Sequence, residues 1–409
     1  MKHHTTASLS LLLLVTGSTM GQEVVALPPL GGTGSLAMDI NDLDEVIGQS
    51  IDGFGVLMGT RWDASGAPTA LGTLDGTVLS WAQAINNNGE IVGYSEQGDG
   101  LRKATLWDGR GGMIDVHTAI GSVGSSIPWD INDHGLIVGQ APLSPGFSKG
   151  FIWDQVNPAQ TVGAGSFYMG GANYGVNNDG ELVGSAFFFG DPDDATHAVP
   201  DGGGGYENQD INPQGFFFSQ AKAINNNGLM VGHSGFNSTT TGGNACIFTG
   251  EPGNLVQTLG TLDGYDTSEA ADVNDSGMIV GYAWDGNFVL DPHAWAYVNG
   301  EMHDLNDLLG PQSEFAVLIE ATGVNNDGDI VGYGALMDGT TSAFLIENFG
   351  TGDKCDADLT GDGNLDFFDI SAFLTAFTGQ EPAGDFTGDG NYDFFDVSAF
   401  LSAFSAGCP

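Results

Sequence analysis

Two stretches near the C-terminus hold oxygen-bearing side chains at a fixed spacing. In the first, Asp358, Thr360, Asp362, Asp366 and Asp369 take positions 1, 3, 5, 9 and 12 of a twelve-residue loop. The second repeats the arrangement 27 residues on with Asp385, Thr387, Asp389, Asp393 and Asp396. Gly363 and Gly390 stand at position 6, where such a loop turns sharply, and Asn364 and Asn391 at position 7 offer backbone carbonyls. Hard oxygens wound round one point suit Ca2+, which takes six to eight of them. A solvated acidic loop would fit this spacing once by accident. A second fit in the same register makes two calcium ions the better reading. Threonine at position 3, where Asp or Asn is usual, removes a stronger ligand from each loop.

Each loop runs into a predicted helix. Residues 367 to 377 and 394 to 404 carry apolar side chains three and four apart, the pattern of one buried face. No helix of comparable strength is predicted before either loop. Cys355 and Cys408 bracket the module and are the expected disulfide in an oxidising compartment. Closing that loop would stabilise the module by ~4 kcal/mol in the chain-entropy view. Paired calcium loops with only the exiting helix, ending in Gly407-Cys408, resemble a GC-type dockerin-like domain over residues 355 to 409. The resemblance implies calcium-dependent folding and docking to a cohesin-like or other surface protein. It also implies recognition through loop positions 10 and 11, which are Phe367, Phe368, Phe394 and Phe395 here. Aromatic rings at positions usually small and polar point to a partner unlike known cohesins; core packing is the alternative role for these phenylalanines.

The larger part of the chain is a repeat. A nonapeptide occurs seven times, beginning at Ile40, Ile85, Ile131, Val176, Ile224, Val273 and Val324 and closing on Gly48, Gly93, Gly139, Gly184, Gly232, Gly281 and Gly332. The closing glycines are 45, 46, 45, 48, 49 and 51 residues apart, a period that signifies an array of similar units. Each copy joins a β-branched or apolar start, an Asn able to bond its own turn, usually a Gly for positive φ, and a short apolar strand, which makes a tight hairpin. A third strand follows, as at Lys103 to Trp107 and Ala294 to Tyr297, and then a fourth. Four short antiparallel strands per unit predict an all-β, seven-bladed propeller. The third-strand aromatics are expected to fill the space between blades. The last unit lacks a fourth strand, whereas the segment at Val24 to Gly32 supplies one, so the N-terminal strand is expected to complete the final blade and protect its edge. An open β-solenoid is the alternative. Over residues 24 to 346 the elements Leu71 to Gly76, Ala82 to Gly93 and His293-Ala294-Trp295 resemble the HAF repeats of exported bacterial proteins. That resemblance implies an extracellular repeat protein and carries no defined chemistry.

The expected organisation is a signal peptide at 1–21, a propeller at 22–347, a linker at 348–354 and the calcium module at 355–409. The leader reading rests on Lys2, the apolar run Leu9 to Val15 and small residues before Gly21. No later run reaches the ~20 apolar residues of a membrane helix, so the mature chain is expected outside the cell or on its surface. With 52 acidic and 8 basic side chains the formal charge is -44, which disfavours nucleic acid. Cys246, in an apolar strand, is expected to be buried and inert. No nucleophile elbow, HExxH helix or phosphate-binding loop is present. His197 and His293 precede Ala at the start of third strands, where a structural role is favoured. A ligand site is expected on variable loops between second and third strands, at residues 187 to 194 and 284 to 288, whose aromatic and acidic side chains suit carbohydrate. The functional expectation is a non-catalytic propeller that binds polysaccharide or another surface ligand. A glycoside hydrolase with a propeller catalytic domain and a purely structural scaffold are the alternatives.

Overall fold

The computed structural model describes residues 23 to 350 apart from 163–169, 188–192, 213–217, 236–242, 250–254 and 287–290. Beyond these it describes 357, 359–360, 365, 367–379, 382–387 and 391–406. The expected leader and the remainder of the expected linker from 351 lie outside the described residues.

One asparagine shapes every repeated hairpin. Oδ1 of Asn41, Asn86, Asn132, Asn177, Asn225, Asn274 and Asn325 accepts from the backbone N–H four residues on, at 2.8–3.0 Å. The chain turns at a left-handed residue, for example Gly89 at φ 75°; in the first copy Asp44 takes that place at φ 58°. The apolar strand that follows packs inward, and the result is seven four-stranded sheets. Blade 1 holds Gly31–Ile40, Val46–Asp52, Leu57–Trp62 and Pro68–Ala70, and the next five blades follow in chain order. Blade 7 holds Phe315–Val324, Ile330–Leu336 and Thr341–Ile346, with Val24–Leu27 paired antiparallel along its outer edge, Val24 opposite Ile346 and Leu27 opposite Ala343. The ring is therefore a closed seven-bladed propeller sealed by the N-terminal strand.

Blade four, the weakest repeat in sequence, is complete. Its third strand, expected to start at His197, runs Asp194–Pro200 and pairs with Tyr206–Asp210. Third-strand aromatics sit between blades as expected. Trp62 packs with Ile40 of its own blade and Val331 of blade 7, and Trp107 with Ile47 of blade 1 and Ile91 of blade 2. Trp62 and Trp295 are fully buried. The propeller extends past its expected boundary. Asn348 N–H donates to Asp329 Oδ1 at 2.7 Å, Phe349 N–H to Gly328 O at 2.8 Å, and the Phe349 ring joins the core between blades 6 and 7. An apolar ring so close to an uncovered core gains more by docking than by remaining in a spacer. Helices Phe367–Gly379 and Phe394–Ala406 pack their equivalent phenylalanines, Phe373 and Phe400, face to face with centroids 4.2 Å apart.

Candidate functional site

The first strand of every blade carries a β-bulge at the same step, between Ala37 and Asp39 in blade 1 and between Ala321 and Gly323 in blade 7. The bulge presses a backbone carbonyl against the closing glycine of the neighbouring strand. A Cβ on Gly93 would run into the Trp81 carbonyl, one on Gly281 into that of Glu269, and the other five copies repeat the clash. That contact accounts for glycine in all seven copies. The residue thrown out of the ladder is Met38, Gln83, Trp129, Tyr174, Lys222, Ala271 or Thr322 in successive blades. All seven line one chamber on the propeller axis, of about 370 Å³. Bulges re-aim side chains next to functional sites, and here a repeated fold aims seven different ones at a common point.

Below these residues Asp39, Asp130 and Asp272 also line the chamber. Each spans two blades: Asp39 accepts from Ile40 N–H at 2.8 Å and from Ile85 N–H of the next blade at 2.9 Å. Asp130 does the same with Ile131 and Val176, and Asp272 with Val273 and Val324. Burial lifts all three carboxyls, Asp39 well above the ordinary range with Asp272 adding to it, and Asp130 to about 6 despite its two amide donors.

The wall formed by blades 5 to 7 is polar. Lys222 Nζ lies 3.0 Å from Glu269 Oε1 and 4.9 Å above the Tyr174 ring. Glu269 Oε2 also receives the Tyr282 hydroxyl at 3.3 Å and lies 3.5 Å from His233 Nδ1. Burial works to raise Glu269, but Lys222 and His233 outweigh it and hold the carboxyl below its usual range. Burial likewise works against the Lys222 ammonium, which Glu269 and Tyr174 restore. Glu320 has the opposite outcome: burial, reinforced by Glu269, pushes it up to about 7, although Tyr333 donates to it at 2.6 Å. The facing wall is aromatic, with Trp129 set edge-to-face on Tyr174 at 5.7 Å. Trp129 Nε1 and Gln83 Oε1 are buried with no protein partner.

On the hairpin side the axis is closed by two rings of hydrogen bonds. Each turn asparagine donates Nδ2 to the backbone carbonyl of its counterpart in the next blade, Asn41 to Asn86 and so on until Asn325 returns to Asn41, at 2.8–3.3 Å. The following residues, Asp42, Asn87, Asp133, Asn178, Asn226, Asp275 and Asn326, pass backbone N–H to side-chain Oδ1 round the same circle at 2.8–3.0 Å. These rings line a shallower mouth of about 150 Å³.

The expected sites fare differently. Of the two variable loops, 188 to 192 and 287 to 288 lie outside the described residues, and none of their described residues is among those lining the chamber. Apart from Glu269 and Glu320, which precede the Ala of their repeats, the chamber residues occupy the two unspecified places before the repeated Ile/Val-Asn. Their signal was variety inside a repeat, Met, Gln, Trp, Tyr, Lys, Ala and Thr at one register. In the C-terminal module Asp358, Asp362, Asn364, Asp366, Asp389, Cys355 and Cys408 lie outside the described residues. The remainder repeat one local arrangement. Thr360 N–H and Oγ1 both donate to Asp369 Oδ1 at 3.0 and 2.8 Å, and Thr387 makes the same bonds to Asp396. Asp393 N–H donates to Asp396 Oδ2 at 2.8 Å, so that bond and those from Thr387 hold the Asp396 carboxyl below its ordinary range. Positions 3 and 12 are thus folded onto each other and both Asp side chains at position 12 are buried, which fits an oxygen-ligand loop wound about a point. Asp385, Asn391 and Asp393 also lie in this loop; among the described residues, no group of three His, Cys, Asp or Glu stands ready to hold a metal. Phe367, Phe368, Phe394 and Phe395 are 73%, 65%, 75% and 67% exposed, so they are not core. Cys246 is buried and its thiol is pushed up to about 12 by desolvation, in keeping with an inert role. His293 Nδ1 lies 2.7 Å from Asp304 Oδ2 across two strands.

No family model and no curated protein matches the chain. Among solved structures it is similar to a puromycin hydrolase, at 13% identity over 79% of this chain and 55% of that one, TM-score 0.53. It is also similar to a Mycobacterium tuberculosis puromycin-hydrolyzing peptidase, at 13% identity over 80% and 55%, TM-score 0.52. The chain thus spans about half the length of these proteins, and at this identity the likeness is one of propeller fold. Among the described residues no helix is long and apolar enough to cross a membrane.

Proposed function

We propose that this is an exported, ligand-binding propeller whose axial chamber takes a carbohydrate or another polar surface ligand, and whose C-terminal module attaches it to a surface protein through two calcium ions. The observation that carries the first half is the set of seven bulged residues: the fold repeats around them while their chemistry does not. An aromatic wall opposite hydrogen-bonding carboxylates, in a chamber within the usual size range of ligand pockets, suits a sugar ring with an apolar face and a polar edge. The second half is supported by the duplicated Thr–Asp arrangement and by four exposed phenylalanines beside it. Asp358, Thr360, Asp362, Asn364, Asp366 and Asp369 would hold one ion and Asp385, Thr387, Asp389, Asn391, Asp393 and Asp396 the other. Each ion would supply the positive charge that draws the loop closed. A glycan array probed with the full chain, and binding of the full chain to cell-surface protein, each with and without Ca2+, test the two halves. Glycan capture should persist in chelator, whereas attachment to cell-surface protein should be lost; capture of no glycan would sink the first half.

A second reading, a glycan-cleaving enzyme, is favoured by one feature. Glu269 and Glu320 share a chamber and are driven in opposite directions, the arrangement by which carboxyls divide base and acid roles. Release of reducing ends from a captured glycan, abolished in Glu320→Gln, would select it.

A further inference from the structure

We propose that the chamber is selective for a ligand bearing a primary ammonium group, presented by an amino sugar or an aliphatic polyamine. This rests on the chamber being the binding site. Among the described residues, five carboxyl groups line it and one cation, Lys222. Lys222 is committed to Glu269 at 3.0 Å, and among the described residues no salt bridge reaches Asp39, Asp130, Asp272 or Glu320. The molecule already exhibits the recognition it would offer to a ligand. Its own ammonium at Lys222 sits between a carboxylate and the face of Tyr174, a cation–π distance of 4.9 Å. Trp129 provides a second ring in the same wall, and the Gln83 carbonyl oxygen is an acceptor with no protein donor. An N–H donor with positive charge suits Glu320, the Gln83 oxygen and the aromatic faces, while the Trp129 Nε1–H, itself a donor, needs an acceptor. A carboxylate or phosphate ligand could accept from Trp129 Nε1 but would offer nothing to Glu320 or the Gln83 oxygen, and it would be repelled by a chain of net charge -44, which attracts cations at long range.

Glu320 is the group free to respond: Glu269, Lys222 and Tyr282 act on it through space, and among the described residues Tyr333 is the one that bonds to it. Titration calorimetry on the full chain would compare a fully deacetylated glucosamine oligosaccharide, its N-acetylated counterpart and spermidine. The proposal expects binding of the first and third and at least tenfold weaker binding of the second. Spermidine stays charged through neutral pH, so its affinity should rise as pH passes about 7, where Glu320 ionises. Glu320→Gln, which retains the Tyr333 bond, should remove that rise and weaken both amines about tenfold while leaving the thermal unfolding profile cooperative. Binding of spermidine alone upholds ammonium selectivity and overturns the carbohydrate reading. Equal binding of the acetylated and deacetylated sugars overturns the ammonium proposal and leaves the chamber as a sugar site. Binding of none of the three overturns both.

Discussion

A buried carboxyl that keeps its proton stabilises a fold differently from an exposed one that loses it early, and both occur here. Asp63, Asp108, Asp154, Asp201 and Asp338 cap surface turns, where side-chain or backbone donors hold them below the ordinary carboxylate range. Their contribution is present above the unfolded value of 3.8 and is lost as pH falls through the lower folded value. Glu320 and Asp130 behave in the opposite sense. The folded chain holds their protons up to about 7 and about 6, so stability declines as pH rises from the unfolded values towards these. Thermal unfolding followed across pH should therefore show a maximum near the unfolded carboxylate values rather than at neutrality. Glu320→Gln should be more stable than the parent above neutrality by roughly 1–3 kcal/mol and nearly equal to it in mild acid. A parent whose stability rises steadily to pH 8 would contradict this assignment.

At the scale of the repeated element, the turn asparagine works twice. Its Oδ1 closes its own hairpin, and its Nδ2 reaches the next blade, as Asn132 does to Asn177 O at 2.9 Å. Asn132→Ala strands buried donors and an acceptor and should cost about 2 kcal/mol or more. Asn132→Asp keeps the acceptor but loses the donor and should be no better; denaturant midpoints measure both. Only the first role was legible in the sequence, because a local turn is written within nine residues whereas the bond to the next blade spans 45. The same limit hid the chamber. Alternation predicted first strands such as Ser80 to Ile85 but gave no sign of the bulge at Ala82–Ala84 that rotates Gln83 to the axis. For the C-terminal loops the legible part was the spacing of oxygens. The position of Thr360 against Asp369, and the exposure of Phe367 and Phe394, required the folded helices. Chelation of Ca2+ should lower helical circular dichroism from this module and leave the propeller's strand signal intact. Replacing all four exposed rings, Phe367→Ser, Phe368→Ser, Phe394→Ser and Phe395→Ser, should abolish surface attachment without lowering the thermal midpoint.

For the whole molecule, closure is the property the sequence announced best, since one end offers a strand that the other lacks. Leu27 is buried against blade 7, Pro28 O receives Trp62 Nε1 at 2.7 Å, and Ser35 Oγ links Leu27 O to Ala343 N–H. Removing residues 22 to 28 should expose a sheet edge, lower the thermal midpoint and promote association, visible by light scattering. The ring in turn makes the chamber, because seven bulges converge only when blade 7 meets blade 1, where Asn325 bonds Asn41 O and Thr322 bonds Ala37 O. Ala271 is the small bulged side chain in that circle, so a large residue there fills the chamber without entering a blade core. Calorimetric binding of a captured glycan to the parent and to Ala271→Trp is accordingly the most direct test that the chamber is the binding site. The account predicts at least tenfold weaker binding with an unchanged unfolding midpoint; full affinity in the filled variant would contradict it.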